Sequence, residues 1–295
     1  MSAMPGMTRP RRRASVISNT AAKNSPCPNG YICVINIFKD REGSEKDVEA
    51  LDEMSKSMDL DHFEDKNCHG DLNQKQISKL CQKFSKHELG NSKLPRIIAI
   101  MAHGNKDGLF DVNGDNFELY DVVLKWFNSQ DNPELSEALK IIIIQTCRGV
   151  HSAPFYDSGV TLKNGAFFQN TLMCHSSMEG FKSIRTQEFG SPYIKFLTEL
   201  VSQYWGNEPI FHLFTRVHNK LSKGFDYGGN KYVPNPEVRM IGGLDIKYLE
   251  NNLEEICSSI KTDELRKRLK IESIDKKSTK ESNKKKSRKS VMHLP

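Results

Sequence analysis

The sequence predicts an α/β fold with a largely parallel sheet and helices on both of its faces. Two observations carry this expectation. Four short apolar runs, 31–38 (YICVINIF), 96–102 (RIIAIMA), 140–146 (KIIIIQT) and 170–176 (NTLMCHS), do not alternate with polar residues and have the length of strands buried on both sides. Between and after these runs, apolar residues recur at intervals of three and four, the spacing of a helix with one buried stripe.

The elements follow in order. After the first run, Val48, Leu51, Met54 and Met58 form one helical stripe, entered through a capping box at Ser44 and Asp47. Ile77, Leu80, Cys81 and Phe84 form a second stripe, and Leu119, Val122, Val123 and Trp126 a third. Beyond the fourth strand, 191–205 (SPYIKFLTELVSQYW) and 210–221 (IFHLFTRVHNKL) read as two helices, and 237–249 (EVRMIGGLDIKYL) contains a last strand. No internal repeat is visible. Residues 1–29, rich in Pro, Ser, Asn and Arg and without periodicity, read as a disordered leader. From 262 onward the chain starts as a helix extension and ends as a basic tail. KKKSRK within it is open to a nuclear-import or nucleic-acid reading as well as to that of a solvated charge run.

Composition excludes several classes. With 37% hydrophobic residues in clusters, the 295-residue chain can bury a core, and its net charge of +6 sits largely at the two ends. No apolar run reaches the roughly 20 residues of a membrane span, and no apolar stretch follows the basic N-terminus as in a secretory signal. The seven cysteines are odd in number and scattered, with no Cys-x-x-Cys, which reads as reduced thiols in a cytoplasmic or nuclear protein.

The chemistry concentrates where two strands end. In open α/β sheets the active groups gather beyond the carboxyl ends of the strands. The run 96–102 delivers His103 and Gly104 there, and 140–146 delivers Cys147. An imidazole and a thiol at one sheet edge are what nucleophilic catalysis by cysteine requires. Gly104 and Gly149 let the backbone turn sharply and leave bare N–H groups for an oxyanion. Cys147 and His151 could ligate a metal, but two ligands do not make a site, and neither metal nor organic cofactor is expected.

These residues carry a resemblance. QTCRG (145–149) resembles the active-site signature of the caspases, a cysteine with a histidine about 50 residues upstream; here the interval from His103 to Cys147 is 44 residues. FKDREGSEKDVEAL, MAHGNKDGLFDVNG, GFKSIRTQEFGSPYIKFL, FHLFTRVHNKL and EVRMIGGLDIKYL resemble successive caspase segments, in unbroken order over about 30–250. The resemblance implies a caspase-like sandwich with a mostly parallel six-stranded sheet. It implies a large-subunit region at 30–157 and a small-subunit region at 158–261, flanked by the leader and the tail.

It also implies roles. Cys147 would attack the scissile carbonyl and His103 would polarise it or protonate the departing amine, while the N–H groups of Gly104 and Cys147 stabilise the oxyanion. Arg41, Arg185 and Gln145 would accept an aspartate side chain, Ser183 would pair with substrate backbone, and Ser191 would line the pocket. A planar guanidinium donates two parallel hydrogen bonds to a carboxylate, which suits the task. The chain departs from the family at Ala102, Ile184, Pro192 and HSSMEG (175–180), which bears on subsite preference and leaves the dyad and both arginines intact.

Implied partners are protein substrates with exposed aspartates, a second copy in a homodimer joined through EVRMIGGL, an upstream caspase and inhibitor proteins, with no membrane and no nucleic acid. Cytoplasmic placement is expected, with nuclear access through the tail. Caspases are made as zymogens, and Asp157 is the single aspartate between Cys147 and Arg185. It stands in APFYDSGVTLKNG, a stretch with loop composition, so activation is expected by a cut after Asp157. An executioner role in apoptosis follows by analogy with short-leader caspases. Three alternatives remain: a catalytically silent homologue that binds an active caspase, a relative cutting after Lys or Arg, and a nucleic-acid-binding module. The second would need acids in the pocket where this chain has arginines. The third rests only on the terminal basic runs.

Overall fold

A computed structural model describes residues 28–88, 93–149, 168–227, 229–263 and 266. The chain runs β1 (Gly30–Asn36), α1 (Ser44–Ser57), β2 (Leu60–His62), β3 (His69–Gly70), α2 (Gln74–Ser85) and β4 (Arg96–Met101). Three short strands follow, β5 (Gly104–Asn105), β6 (Gly108–Phe110) and β7 (Asn116–Phe117), then α3 (Leu119–Val122) and β8 (Lys140–Gln145). The remainder is β9 (Thr171–His175), α4 (Pro192–Tyr204), α5 (Ile210–Ser222), β10 (Phe225–Tyr227), β11 (Asn230–Tyr232), β12 (Glu237–Ile241) and α6 (Ile246–Glu250). A last helix, α7, covers 253–263.

The main sheet has the order β12-β9-β8-β4-β1-β2, with β3 pairing the end of β1 beyond β2. All pairings are parallel except β12 with β9. The expected strands 31–38, 96–102, 140–146 and 170–176 are β1, β4, β8 and β9, and every residue of these four strands is buried. That is why their runs are continuous instead of alternating. The six-stranded path is as expected, and the two-residue β3 makes a seventh strand.

Helix placement follows from handedness. The step from β1 to β2 goes one way along the sheet and the steps to β4 and β8 go the other. Right-handed crossovers therefore put α1 on one face and α2 with α3 on the opposite face. Contacts agree: α1 packs on α4 and α4 on α5, whereas α2 packs on α3.

Two local expectations are corrected. Helix α1 has no capping box at Ser44 and Asp47: its N-cap is Gly43, without a side-chain cap. Ser44 Oγ instead accepts a hydrogen bond from Asn36 Nδ2 at 3.1 Å, and Asp47 accepts one from the Ser191 backbone at 2.6 Å. A reciprocal capping box does form at Asn73 and Gln76, at the start of α2. The third stripe is not one helix. It breaks at Val123 into the single turn of α3 and a 3-10 turn at Leu124–Phe127, where Trp126 Nε1 donates to Ser78 Oγ at 3.0 Å.

Helix α7 buries Leu253, Ile256, Cys257 and Ile260. Its Cys257 thiol donates to the Asn29 carbonyl at 2.9 Å and Lys261 Nζ to Asn29 Oδ1 at 2.8 Å. No helix among the described residues is long and apolar enough to cross a membrane.

Lys140, at the start of β8, is buried and donates from Nζ to the Leu135 carbonyl at 2.6 Å. Burial lowers its pKa from 10.5 to about 7. Between these values the unfolded chain holds a proton that the folded chain has lost, so stability rises with pH across that window. Urea unfolding of wild type from about pH 7 to 9 is expected to show this rise, on the order of a few kcal/mol. Lys140→Met should show a much flatter profile. Parallel profiles would refute the assignment.

Candidate active site

Sheet register aligns the two candidate catalytic residues. Met101 at the end of β4 stands opposite Gln145 at the end of β8. His103 and Cys147, each two residues further, therefore leave the sheet at the same level. Gly104 is what lets the two ends touch: a Cβ there would collide with Thr146 Oγ1 and lie 2.8 Å from the Cys147 carbonyl oxygen. The end of β8 is held by Ser177 Oγ, which donates to the Thr146 carbonyl at 3.0 Å.

The Cys147 thiol is half-buried and points to the Ser183 carbonyl at 3.6 Å. The chain on either side runs along 180–183: Arg148 N–H donates to Phe181 O at 3.0 Å, and Gly180 N–H to Arg148 O at 2.9 Å. His103 is exposed, with Nε2 2.8 Å from the Asp40 carbonyl. A carbonyl can only accept, so Nε2 carries the proton and Nδ1 of the neutral ring is left as the acceptor.

Arg41 is 1% exposed and buries its guanidinium. Its Nη1 donates to Asn36 Oδ1 and to the Ile37 carbonyl, and Nη2 to Gln145 Oε1. Asn36 and Gln145 share one register row, with Met101 between them. Strands lie about 4.8 Å apart, so the backbones of β1 and β8 are about 10 Å apart, and the Asn36, Arg41 and Gln145 side chains together bridge them over β4. Gln145 Nε2 continues the chain to Ser183 Oγ at 3.2 Å.

Arg185 is half-buried, and its Nε donates to the Glu42 carbonyl at 3.0 Å. The pKa of Arg41 is lowered to about 9, chiefly by burial and then by the nearby Arg185, with Asp47 and Cys147 acting the other way. Arg41 remains charged at neutral pH. Arg185 is also lowered by burial, against Asp47, Cys147, Glu45 and Glu42.

Beneath the two cations lies Asp47, 1% exposed, accepting the Ser191 N–H through Oδ1. Burial raises its pKa to about 6, against the Ser191 hydrogen bond and the two arginines. Ser191 is itself fully buried.

The fold thus gathers His103, Gly104, Cys147, Arg41, Gln145, Ser183, Arg185 and Ser191 at one sheet edge. Asp157 and His151 lie outside the described residues. Among the described residues no group of three or more His, Cys, Asp or Glu side chains is placed to hold a metal ion. Asn36 and the Asp40 carbonyl were not foreseen as site groups. Asn36 had a signal, the one polar residue inside the apolar run 31–38. The Asp40 carbonyl had none, because backbone positions carry no sequence mark.

Asp47 supplies a stability test. Its folded pKa, about 6, lies above the ordinary 3.8. Between these values the folded chain binds the extra proton, so stability falls as pH rises through the window, and the cost persists above it. Asp47→Asn keeps an oxygen for the Ser191 N–H and removes the charge. At about pH 7.5 it is expected to melt higher, by on the order of 1–3 kcal/mol of stability, with the gain gone near pH 4. A lower melting temperature at neutral pH would contradict this.

Comparison with known proteins places this geometry in context. The family model described as Caspase domain matches residues 12–243. The chain is 24% identical to caspase-14 of Homo sapiens over 219 residues, 70% of this chain and 87% of that protein. It is 26% identical to caspase-3 of Oryctolagus cuniculus over 166 residues, covering 53% of this chain and 57% of that protein. To caspase a of Danio rerio it is 25% identical over 193 residues, covering 60% of this chain. The chain spans about half the length of these last two relatives, 57% and 49%. The crystal structure of caspase-1 from Spodoptera frugiperda superposes with a TM-score of 0.58 at 19% identity, covering 74% of this chain and 87% of that one. It shares the fold.

Proposed function

The chain belongs to the caspase-domain family of cysteine proteases, and from that premise we propose that it is an endopeptidase cutting protein chains after aspartate. The observation that carries this reading is the pair of guanidiniums, Arg41 and Arg185, electrostatically coupled to Cys147 at the strand ends. A desolvated aspartate satisfies such a pocket. A neutral side chain leaves its charges unpaired, and a basic one adds to them. An unpaired buried charge costs about 3–5 kcal/mol.

In the proposed reaction the Cys147 sulfur attacks the scissile carbonyl carbon. The N–H groups of Gly104 and Cys147 receive the oxyanion. His103, its Nε2–H held by the Asp40 carbonyl, takes the thiol proton on Nδ1 and passes it to the departing amine, and a thioester forms as the C–N bond breaks. Water then attacks the thioester, giving up a proton to His103 and expelling the thiolate. Gln145 and Ser183 orient substrate at the pocket, with Ser191 behind it.

Turnover of matched peptides differing only in Asp, Glu or Arg at the cut tests this. Wild type is expected to favour Asp by at least about a hundredfold, as the cost of an unpaired buried charge implies. Cys147→Ala should abolish turnover with the fold intact. Arg41→Lys should raise KM more than it lowers kcat, because an ammonium cannot donate in parallel to a carboxylate. A correctly folded wild type without activity would favour the silent homologue instead.

Activation after Asp157 belongs to the same proposal. The cut would give fragments of 157 and 138 residues. They would stay together, since β8 and β9, one from each, pair from Lys140 with Thr171 to Ile144 with His175. Mass spectrometry after activation is expected to find those two masses, and Asp157→Ala to remain uncut; a cut elsewhere would refute the assignment. Among the described residues, strand β12 pairs with β9 on one side and with no strand on the other, and leaves Met240 51% exposed, which suits pairing with a second copy.

A further inference from the structure

Carboxylates stand at the rim of the cationic pocket floor. Arg41 and Arg185 form the floor. The two segments that frame it, 39–46 and 182–195, bear four exposed carboxylates, Asp40, Glu42, Glu45 and Glu188. The same segments bear four lysines, so what a substrate meets depends on local placement and not on net charge. Lys39 Nζ donates to the Val112 carbonyl at 3.3 Å, Lys46 pairs with Glu49 at 3.1 Å, and Lys195 lies over the Phe189 ring at 4.9 Å. Lys182 is exposed.

Glu42 differs from the other three in being anchored against Arg185. Its carbonyl accepts the Arg185 Nε–H at 3.0 Å, and its carboxylate accepts a hydrogen bond from Gln187 Nε2. The next residue, Gly43, has φ +81° and lies so close to the Thr186 carbonyl that a Cβ would collide with it. This approach locks residue 42 onto the 185–187 segment. Glu42 and Glu45 both act electrostatically on Arg185. The terminal nitrogens of Arg185 make no hydrogen bond to a described residue.

We infer that Glu42 sets the charge preference for the substrate residues flanking the cleaved aspartate, disfavouring acidic neighbours and favouring basic or neutral ones. The inference rests on the Asp-specific reading above. An extended peptide advances about 3.3 Å per residue, so with its aspartate on the floor its neighbours pass over the rim. There an acidic side chain meets Glu42, and it competes with Glu42 for Arg185. A lysine meets a carboxylate already in position. Because the rim is exposed, the effect of one charge should be about threefold to fivefold and should shrink with added salt.

The test is kcat/KM on Asp-cleavage peptides with Glu, Gln or Lys placed in turn at each of the positions upstream of the cut. Each series is run with wild type and Glu42→Gln, at low and high salt. The expected wild-type order at one or more positions is Lys, then Gln, then Glu. In Glu42→Gln the ratio of the Lys to the Glu peptide should fall by about threefold or more. Ratios within a single enzyme are independent of how much of it folds. Asp peptides cut with Glu preferred, or with the same ratio in both enzymes, would overturn the role of Glu42 and leave the Asp-specific reading standing. Failure to cut any Asp peptide would overturn that reading, and this inference with it.

Discussion

A guanidinium withdrawn from water needs acceptors for its terminal nitrogens, and the site is organised around Arg41 for that reason. Its partners, Asn36 and Gln145, end two strands that do not touch each other. The side chain therefore works as a crosspiece over β4. It can do so only if β1, β4 and β8 end in register, and the same register brings His103 level with Cys147. The alignment of the dyad and the construction of the cationic pocket thus have one geometric origin.

Buried cations side by side repel each other, and Asp47 offsets this. Its carboxylate sits under both arginines and also takes the Ser191 N–H, so one group moderates the repulsion and positions the second wall of the pocket. The cost appears in its own raised pKa. A stability cost retained at the candidate site fits the ordinary trade between binding and stability. Lys140, at the opposite end of the sheet, shows a similar burial cost through a lowered pKa but has no place in the site.

The strands were legible because burial on both faces removes alternation, and the helices α1, α2, α4 and α5 because a single buried stripe imposes its period. The failures are instructive. Ser44 and Asp47 have the pattern of a capping box, yet Asn36 and Ser191 claim their side chains. Asn73 and Gln76 have an equivalent pattern without such competitors, and there the box forms. The third stripe has helical spacing, but its chain breaks at Val123 where Trp126 reaches Ser78. Local rules held wherever no distant partner offered the same groups a better bond.

From the sequence by itself came the α/β class, the strands and main helices, and the delivery of His103 and Cys147 to one sheet edge, since periodicity and strand order are local properties of the chain. Resemblance to a known family added Arg41, Gln145, Ser183, Arg185 and Ser191 as a set. Only the tertiary structure decided that Arg41 bridges Asn36 and Gln145, that Asp47 lies beneath the arginines, that the Asp40 carbonyl orients His103, and that Glu42 is fixed at the rim. Those contacts join residues up to 145 positions apart, and several run through backbone atoms that every residue possesses. Neither distance nor backbone identity is written in a one-dimensional pattern, so these relations exist only once the chain has folded.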